Sequence, residues 1–141
     1  MTWASLVLFV CGASVSPNLA SEIEMVAEEY HVEKTLLLGM IYKESTCRPN
    51  VVGSSGDTGL MQIVPKWHQD TIIDLSVEDL FDPLQNMRVG ASILVDLGVQ
   101  TNPHAALVVY NGGYARPRVS YRYASDILYK KETYDTMLYG E

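Results

Sequence analysis

Apolar residues recur at helical spacing along most of this chain, and nowhere do they keep up the two-residue alternation of a half-buried strand. Ile23, Val26, Ala27 and Tyr30 predict an amphipathic helix over 22–30 that turns Glu24, Glu28 and Glu29 to solvent. After the short break His31-Val32, the run 34–44 places Leu37, Met40, Ile41 and Glu44 on one face, so an acidic residue stands at the end of a buried helix. Residues 48–59 are dense in Pro, Asn, Gly, Ser and Asp and predict a loop directly after Glu44. The stretch 60–64, stopped by Pro65, fits a short strand or a single helical turn.

Asp82 followed by Pro83 supplies an N-cap and a proline at the first helical position, and Gly98 supplies a stop, which predicts a helix over 83–97. Its inner side carries Met87, Gly90, Ala91, Leu94 and Leu97, where the small pair Gly90 and Ala91 would let another helix approach closely. Asn102-Pro103 repeats the start signal for a helix over 103–110, closed by Asn111-Gly112-Gly113. A last helix is expected from about Val119 to Leu128 or beyond, with Tyr123, Ile127 and Leu128 inward. No internal repeat interrupts this series, and the expected fold is a mostly α domain.

A chain of 141 residues fits one domain, and a domain of that size buries roughly 70% of the surface its unfolded chain exposes. Its composition, 48% hydrophobic and 19% charged, is that of a globular protein. The net charge of −7 and the scattered ten Lys and Arg argue against a nucleic-acid binder, whose phosphate contacts need a concentrated basic face. The three histidines, at 31, 68 and 104, lack paired ligand spacing, so no metal site is expected.

No Asp, Glu, Lys or Arg occurs before Glu22, and Trp3 to Ala13 forms an apolar run as long as a signal-peptide core. Residues 1–20 therefore read as a signal peptide or as an N-terminal extension packed on a domain spanning 21–141; the run is short for a stable membrane anchor. Val10 stands where a lipid-attachment motif wants a small residue, which argues against lipidation of Cys11. Cys11 and Cys47 are the two cysteines, too few to indicate a disulfide framework, and cleavage of the segment would leave Cys47 alone.

Glu44 is the candidate for chemistry. Burial penalises an ionised carboxylate and raises its pKa, and a carboxyl that stays protonated near pH 6 can donate to a leaving oxygen, as glycoside cleavage requires. On the residues alone, a Glu at a helix end also fits a partly solvated surface position. Likewise Leu60 and Met61 fit core as well as groove, Tyr110 fits a packed tyrosine with a bonded hydroxyl, and Asn111 with two glycines is a helix-end signal. Asp57, inside Gly-Asp-Thr-Gly, fits a turn former better than a residue that positions a water.

The segment Glu44-Ser45-Thr46-Cys47-Arg48-Pro49-Asn50, then Gly56-Asp57-Thr58-Gly59-Leu60-Met61-Gln62-Ile63 and Pro65, resembles the signature of the lytic transglycosylases of goose-type-lysozyme-like fold. The run Ala106-Leu107-Val108-Val109-Tyr110-Asn111-Gly112-Gly113 is similar to that family's second motif, and Leu80-Phe81-Asp82-Pro83 with Asn86, Gly90, Ala91 and Leu94 is similar to its connecting helix. The resemblance extends from about Ser21 to Tyr129. It implies a lysozyme-like domain with a substrate groove, a substrate consisting of peptidoglycan glycan strands, no cofactor, and Glu44 as the single catalytic acid and base. In that chemistry Glu44 protonates the oxygen between N-acetylmuramic acid and N-acetylglucosamine and then takes the proton of the muramyl C6 hydroxyl, closing a 1,6-anhydro ring without water or a second carboxylate. This differs from the two-carboxylate scheme of most glycosidases. The substrate-binding residues it implies are Ser45, Ser54, Ser55, Met61, Gln62, Tyr110, Asn111 and Tyr123.

One departure stands out. Nine residues after the glutamate many members of the family carry a serine that hydrogen-bonds the carboxyl, and here that residue is Gly53. Ser54 or Ser55 would then substitute, or the carboxyl would rest on backbone donors and Tyr110, with weaker activity. Two rival readings follow: a lysozyme-type hydrolase that activates water through Asp57, and a wall-binding module that has lost catalysis, suggested by Gly53. Arg116, Arg118 and Arg122 read as a solvated helix start or as contacts for peptide-stem carboxylates. The expected setting is periplasmic or extracytoplasmic, as a monomer, alone or within a secretion, conjugation, pilus or phage virion complex, or encoded by a phage.

Overall fold

The computed structural model describes residues 1–140, and among these the regular structure is helical. The helices are α1 (Trp3–Cys11), α2 (Leu19–Tyr30), α3 (Lys34–Ser45), α4 (Gln69–Asp74), α5 (Pro83–Asp96), α6 (Pro103–Tyr110) and α7 (Pro117–Tyr139), with single 3-10 turns at Pro65–Trp67 and Gly113–Ala115. Helix α3 is the centre. It packs against α7 and α2, while α6 lies on α7 and α5 on α2. Every residue of α3 from Thr35 to Ile41 is buried, so this helix is wrapped on all sides and not on the one apolar face its spacing suggests. Gly39 explains how α7 comes so close, because a Cβ there would already touch the Ile127 carbonyl at 3.4 Å.

The caps read from the sequence act as expected. The Asp82 side chain accepts from Gln85 N and the Asn102 side chain from Ala105 N, in each case one residue before a proline at the first helical position. Helix α7 begins earlier than the apolar spacing indicates, because Pro117 seeds its first turn, and it continues to Tyr139. Residues 60–64 form neither a strand nor a helix. They close a tight loop through the isolated bridges Val52 to Thr58 and Thr58 to Ile63. Gly90 admits a methionine and not a neighbouring helix: a Cβ at Gly90 would lie 2.3 Å from Met61 Sδ.

Three hydrogen bonds from Asn86, which has no exposed surface, fix that loop to α5. Its Nδ2 donates to the carbonyls of Thr58 and Leu80, and its Oδ1 accepts from Met61 N, each at 2.9 Å. Gly59, with φ +77°, must remain glycine for a further reason: a Cβ would stand 2.3 Å from Asn86 Nδ2 and 2.5 Å from the Leu80 carbonyl.

The N-terminal segment packs on the rest. Thr2 caps α1 by accepting from Ser5 N, Leu6 and Val7 are buried, and Trp3 Nε1 donates to the Ala20 carbonyl at 2.7 Å. Cys11 at the end of α1 is joined to Cys47 in a disulfide, with the two Cα atoms 5.6 Å apart. Cys47 follows the end of α3, where Thr46 and Cys47 take φ of 50° and 64°, two successive left-handed residues that stop the helix without a glycine. The bond thus fastens α1 to the chain just beyond Glu44. It closes 36 residues, and cross-links of this length contribute about 2–4 kcal/mol. Reduction, or Cys11→Ser, is expected to lower stability by about that amount, measured as the urea midpoint with and without reductant; equal midpoints would show that α1 is held by packing alone.

Candidate active site

Glu44 lies in the last turn of α3 at the floor of a groove of about 670 Å³. One wall comes from the loop and the turn after it, with Ser55, Asp57, Gln62, Trp67 and His68; the other comes from the end of α6 and the start of α7, with Val109, Tyr110, Asn111, Arg116 and Ser120. Ile93 and Leu97 of the α5 side add apolar surface to the lining. The groove thus mixes apolar surface with hydrogen-bonding groups, the character of a site for a polar ligand with apolar faces.

Burial dominates the electrostatics of Glu44 and raises its carboxyl from 4.5 to about 7. Against this, Tyr123 donates its hydroxyl to Glu44 Oε2 and favours the carboxylate, while the negative charge of Asp57 raises the value again and Lys43 lowers it. The carbonyl end of the α3 dipole works in the same direction as burial. The result is a carboxyl shared between its acid and base forms near neutral pH, which is the condition for one group to give and then accept a proton. The hydroxyls of Tyr110 and Tyr123 are pushed well above the usual tyrosine range, first by burial and then by the adjacent Glu44 charge, so both remain neutral donors.

The residues named from the sequence fall into two groups. Glu44, Ser55, Gln62, Tyr110 and Asn111 line the groove together. Gln62 is braced by its own loop, donating through Nε2 to the carbonyls of Val51 and Gly59. Asn111 Oδ1 accepts from Ser120 Oγ at 3.2 Å, tying the end of α6 to α7. Tyr110 donates its hydroxyl to the Met61 carbonyl at 2.7 Å and joins the two walls.

The others lie outside the lining. Ser45 is buried, its hydroxyl between the carbonyls of Ile41 and Leu60 at 3.0 and 2.9 Å, so it braces the loop. Met61 has no exposed surface and packs on Gly90. Ser54 is exposed outside the groove. Tyr123 is buried beside Glu44 and reaches it from α7.

The donor to Glu44 is therefore Tyr123 and not Ser54, Ser55 or Tyr110. Gly53 has no side chain because the Asp57 carboxyl fills the space: a Cβ there would lie 2.3 Å from both Asp57 oxygens. Asp57 is held over Gly53 by Gly53 N, which donates to its carbonyl at 2.8 Å, and by Ser55 N, which donates to Oδ1 at 3.2 Å. Sequence reading missed Trp67 and His68; their only signal was an aromatic pair just after Pro65 in a stretch without periodicity. Of the three arginines, Arg116 lines the groove while Arg118 and Arg122 are exposed outside it.

Residues 21–132 match the family model described as the transglycosylase SLT domain. The chain is 32% identical over 92 residues to a transglycosylase of Enterobacteria phage PRD1, an alignment covering 64% of this chain and 33% of the relative. It is 32% identical over 108 residues to a membrane-bound lytic murein transglycosylase C of Serratia proteamaculans, covering 64% of this chain and 30% of the relative. The chain thus spans about a third of the length of the curated relatives it matches. Among solved structures it superposes on the 70 kDa soluble lytic transglycosylase of Escherichia coli with a TM-score of 0.69 at 20% identity, over 83% of this chain and 24% of that one. An inactive mutant of the lytic transglycosylase Slt of Pseudomonas aeruginosa gives a TM-score of 0.72 at 20% identity, over 85% and 24%. At this identity the structures establish the shared fold.

The causes acting on Glu44 predict opposite displacements of its titration. Tyr123→Phe removes a donor to the carboxylate and moves the midpoint above about 7, whereas Asp57→Asn removes a like charge and moves it below. Carbon-detected NMR titration of the Glu44 carboxyl reads both, and shifts of the same sign would break this assignment. Because the native value of about 7 exceeds the ordinary 4.5, the proton on Glu44 stabilises the fold fully below about pH 4.5. That contribution disappears as pH rises through about 7, at most about 3 kcal/mol. Glu44→Gln is expected to gain stability over wild type at pH 8 and not at pH 4, by urea unfolding.

Proposed function

Because this chain belongs to the transglycosylase SLT domain family, we propose that it cleaves the glycan strands of peptidoglycan with Glu44 as its acid and base. The observation that carries the reading is a carboxyl raised to about 7 at the floor of an open groove, with a neutral tyrosine hydroxyl fixed to it. In the acid form Glu44 protonates the glycosidic oxygen between N-acetylmuramic acid and N-acetylglucosamine as the bond to the anomeric carbon breaks. The resulting carboxylate, stabilised by Tyr123, takes the proton of the muramyl C6 hydroxyl while that oxygen closes on the anomeric carbon. The proton balance is restored in one cycle. Gln62 and Asn111 face the strand from opposite walls, and Tyr110 sets the distance between those walls.

Asp57 favours a second reading. It lines the same groove as a second carboxylate, and a water held there would attack the anomeric carbon and make the enzyme a hydrolase, the arrangement in which two carboxylates flank the bond. Gly53 no longer favours a wall-binding module without chemistry, since the adjacent Asp57 carboxyl accounts for the missing side chain and Tyr123 supplies the donor.

The disulfide suits an oxidising, extracytoplasmic setting such as the periplasm. We read residues 1–20 as an N-terminal extension that packs on the domain through α1. The phage relative is consistent with a phage-encoded or virion-associated enzyme as the alternative source.

Purified peptidoglycan digested with the protein is expected to release fragments ending in 1,6-anhydro-muramic acid by mass spectrometry. Fragments heavier by one water would assign hydrolysis and Asp57. Glu44→Gln keeps size and polarity but not the titrating proton, and is expected to cut turnover by roughly 10²–10⁴-fold or more; near-normal turnover would remove Glu44 from the mechanism.

A further inference from the structure

Trp67 is 68% exposed, although it stands on a wall of the groove whose floor holds Glu44. Indole carries one of the largest apolar surfaces of any side chain, so an exposed tryptophan inside a cleft is a surface waiting for a ligand and not a packing residue. Its backbone is fixed. Pro65 opens the 3-10 turn Pro65–Trp67, Trp67 N donates to the Val64 carbonyl at 3.1 Å, and His68 N and Gln69 Nε2 both donate to the Pro65 carbonyl, at 3.2 and 2.9 Å. Lys66, which stands outside the groove lining, places its Nζ over the indole 5.5 Å from the ring centroid. The protein's own ammonium thus lies over one face of the ring, a contact that favours this placement of the indole before any ligand arrives.

We propose that Trp67 is a stacking platform for one pyranose ring of the glycan strand, at a subsite beside the cleaved bond. A pyranose presents a flat face of C–H groups and a rim of hydroxyl and acetamido groups. The indole suits the face, and the polar groups that share the groove, Gln62, Asn111 and Ser55 among them, suit the rim. The ring has no acid or base group to offer the reacting atoms, and the hydroxyl that holds Glu44 belongs to Tyr123. Its contribution is to affinity and to preference for longer strands, not to the chemical step. The other tryptophan, Trp3 of α1, is tied to the Ala20 carbonyl of α2 and lies outside the groove lining.

The proposal rests on the reading of the groove as a glycan site, and the two are separable. On peptidoglycan, Trp67→Ala is expected to raise KM roughly tenfold with kcat little changed, and Trp67→Phe to restore most of the affinity. An unchanged KM would overturn the proposal, as would a fall in kcat alone, which would move Trp67 to the reacting centre. Thermal unfolding midpoints equal to wild type confirm that an exposed site was altered without harm to the fold. The second measurement does not depend on cleavage: in a Trp3→Phe, Glu44→Gln protein, Trp67 is the sole tryptophan, and titration with chitotetraose is expected to give a saturable blue shift of its emission. A saturable shift in a protein whose wild type fails to cleave peptidoglycan would sink the catalytic reading and uphold the platform; no shift with any chito-oligosaccharide would sink the platform whatever the activity.

Discussion

The Asn86 amide is wholly buried and has three hydrogen bonds, and almost everything at the groove depends on where they send the loop before it. A buried amide left without partners is costly, so the carbonyls of Thr58 and Leu80 and the N–H of Met61 must all converge on it or none of the arrangement holds. Their convergence presses Gly59 onto α5, drops Met61 onto Gly90, and turns the Met61 carbonyl toward Tyr110. Side chains that never meet the groove therefore determine its width. Met61 and Ser45 are examples: each occupies a motif position, and each serves the wall from behind.

The helices were legible to the extent that their signals are local. Caps such as Asp82-Pro83 and Asn102-Pro103 act within three residues, and they fixed two helix starts correctly. The apolar spacing around Leu37 revealed one face of α3 but not that the helix is enclosed on every side, because what encloses it, α7, is distant in sequence. The same limitation applies to the site. Glu44 and Asp57 belong to one contiguous motif region, whereas the donor that holds Glu44 comes from α7, 79 residues away. Tyr123 was legible from spacing as an inward residue and from family likeness as a groove residue, but it lies buried behind the lining, and its pairing with the glutamate is a product of folding. The disulfide was illegible for the same reason: two cysteines carry no pairing information until α1 is seen lying beside the end of α3.

Glu44 shows how a fold sets a proton affinity by opposition. Burial, the helix end and the Asp57 charge press it toward the acid form, and the Tyr123 hydroxyl, together with the Lys43 charge, presses it back. Neither influence alone leaves the group divided between its two forms near neutrality. The carboxyl stands on α3 and its donor on α7, so the packing of those two helices, made close by Gly39, bears on the balance of charge at the groove floor.

The carboxyl of Asp57 lying over Gly53 has a consequence for how this sequence can change. Any side chain at position 53 must enter space that the two Asp57 oxygens occupy, 2.3 Å from where its Cβ would stand, so a substitution there requires the Asp57 carboxyl to swing aside or position 57 to become smaller. The converse path is open: position 57 can shrink first and leave a hollow that a later substitution at 53 could fill. The two sites are therefore coupled in descent: a change at one alters where the side chain of the other can lie.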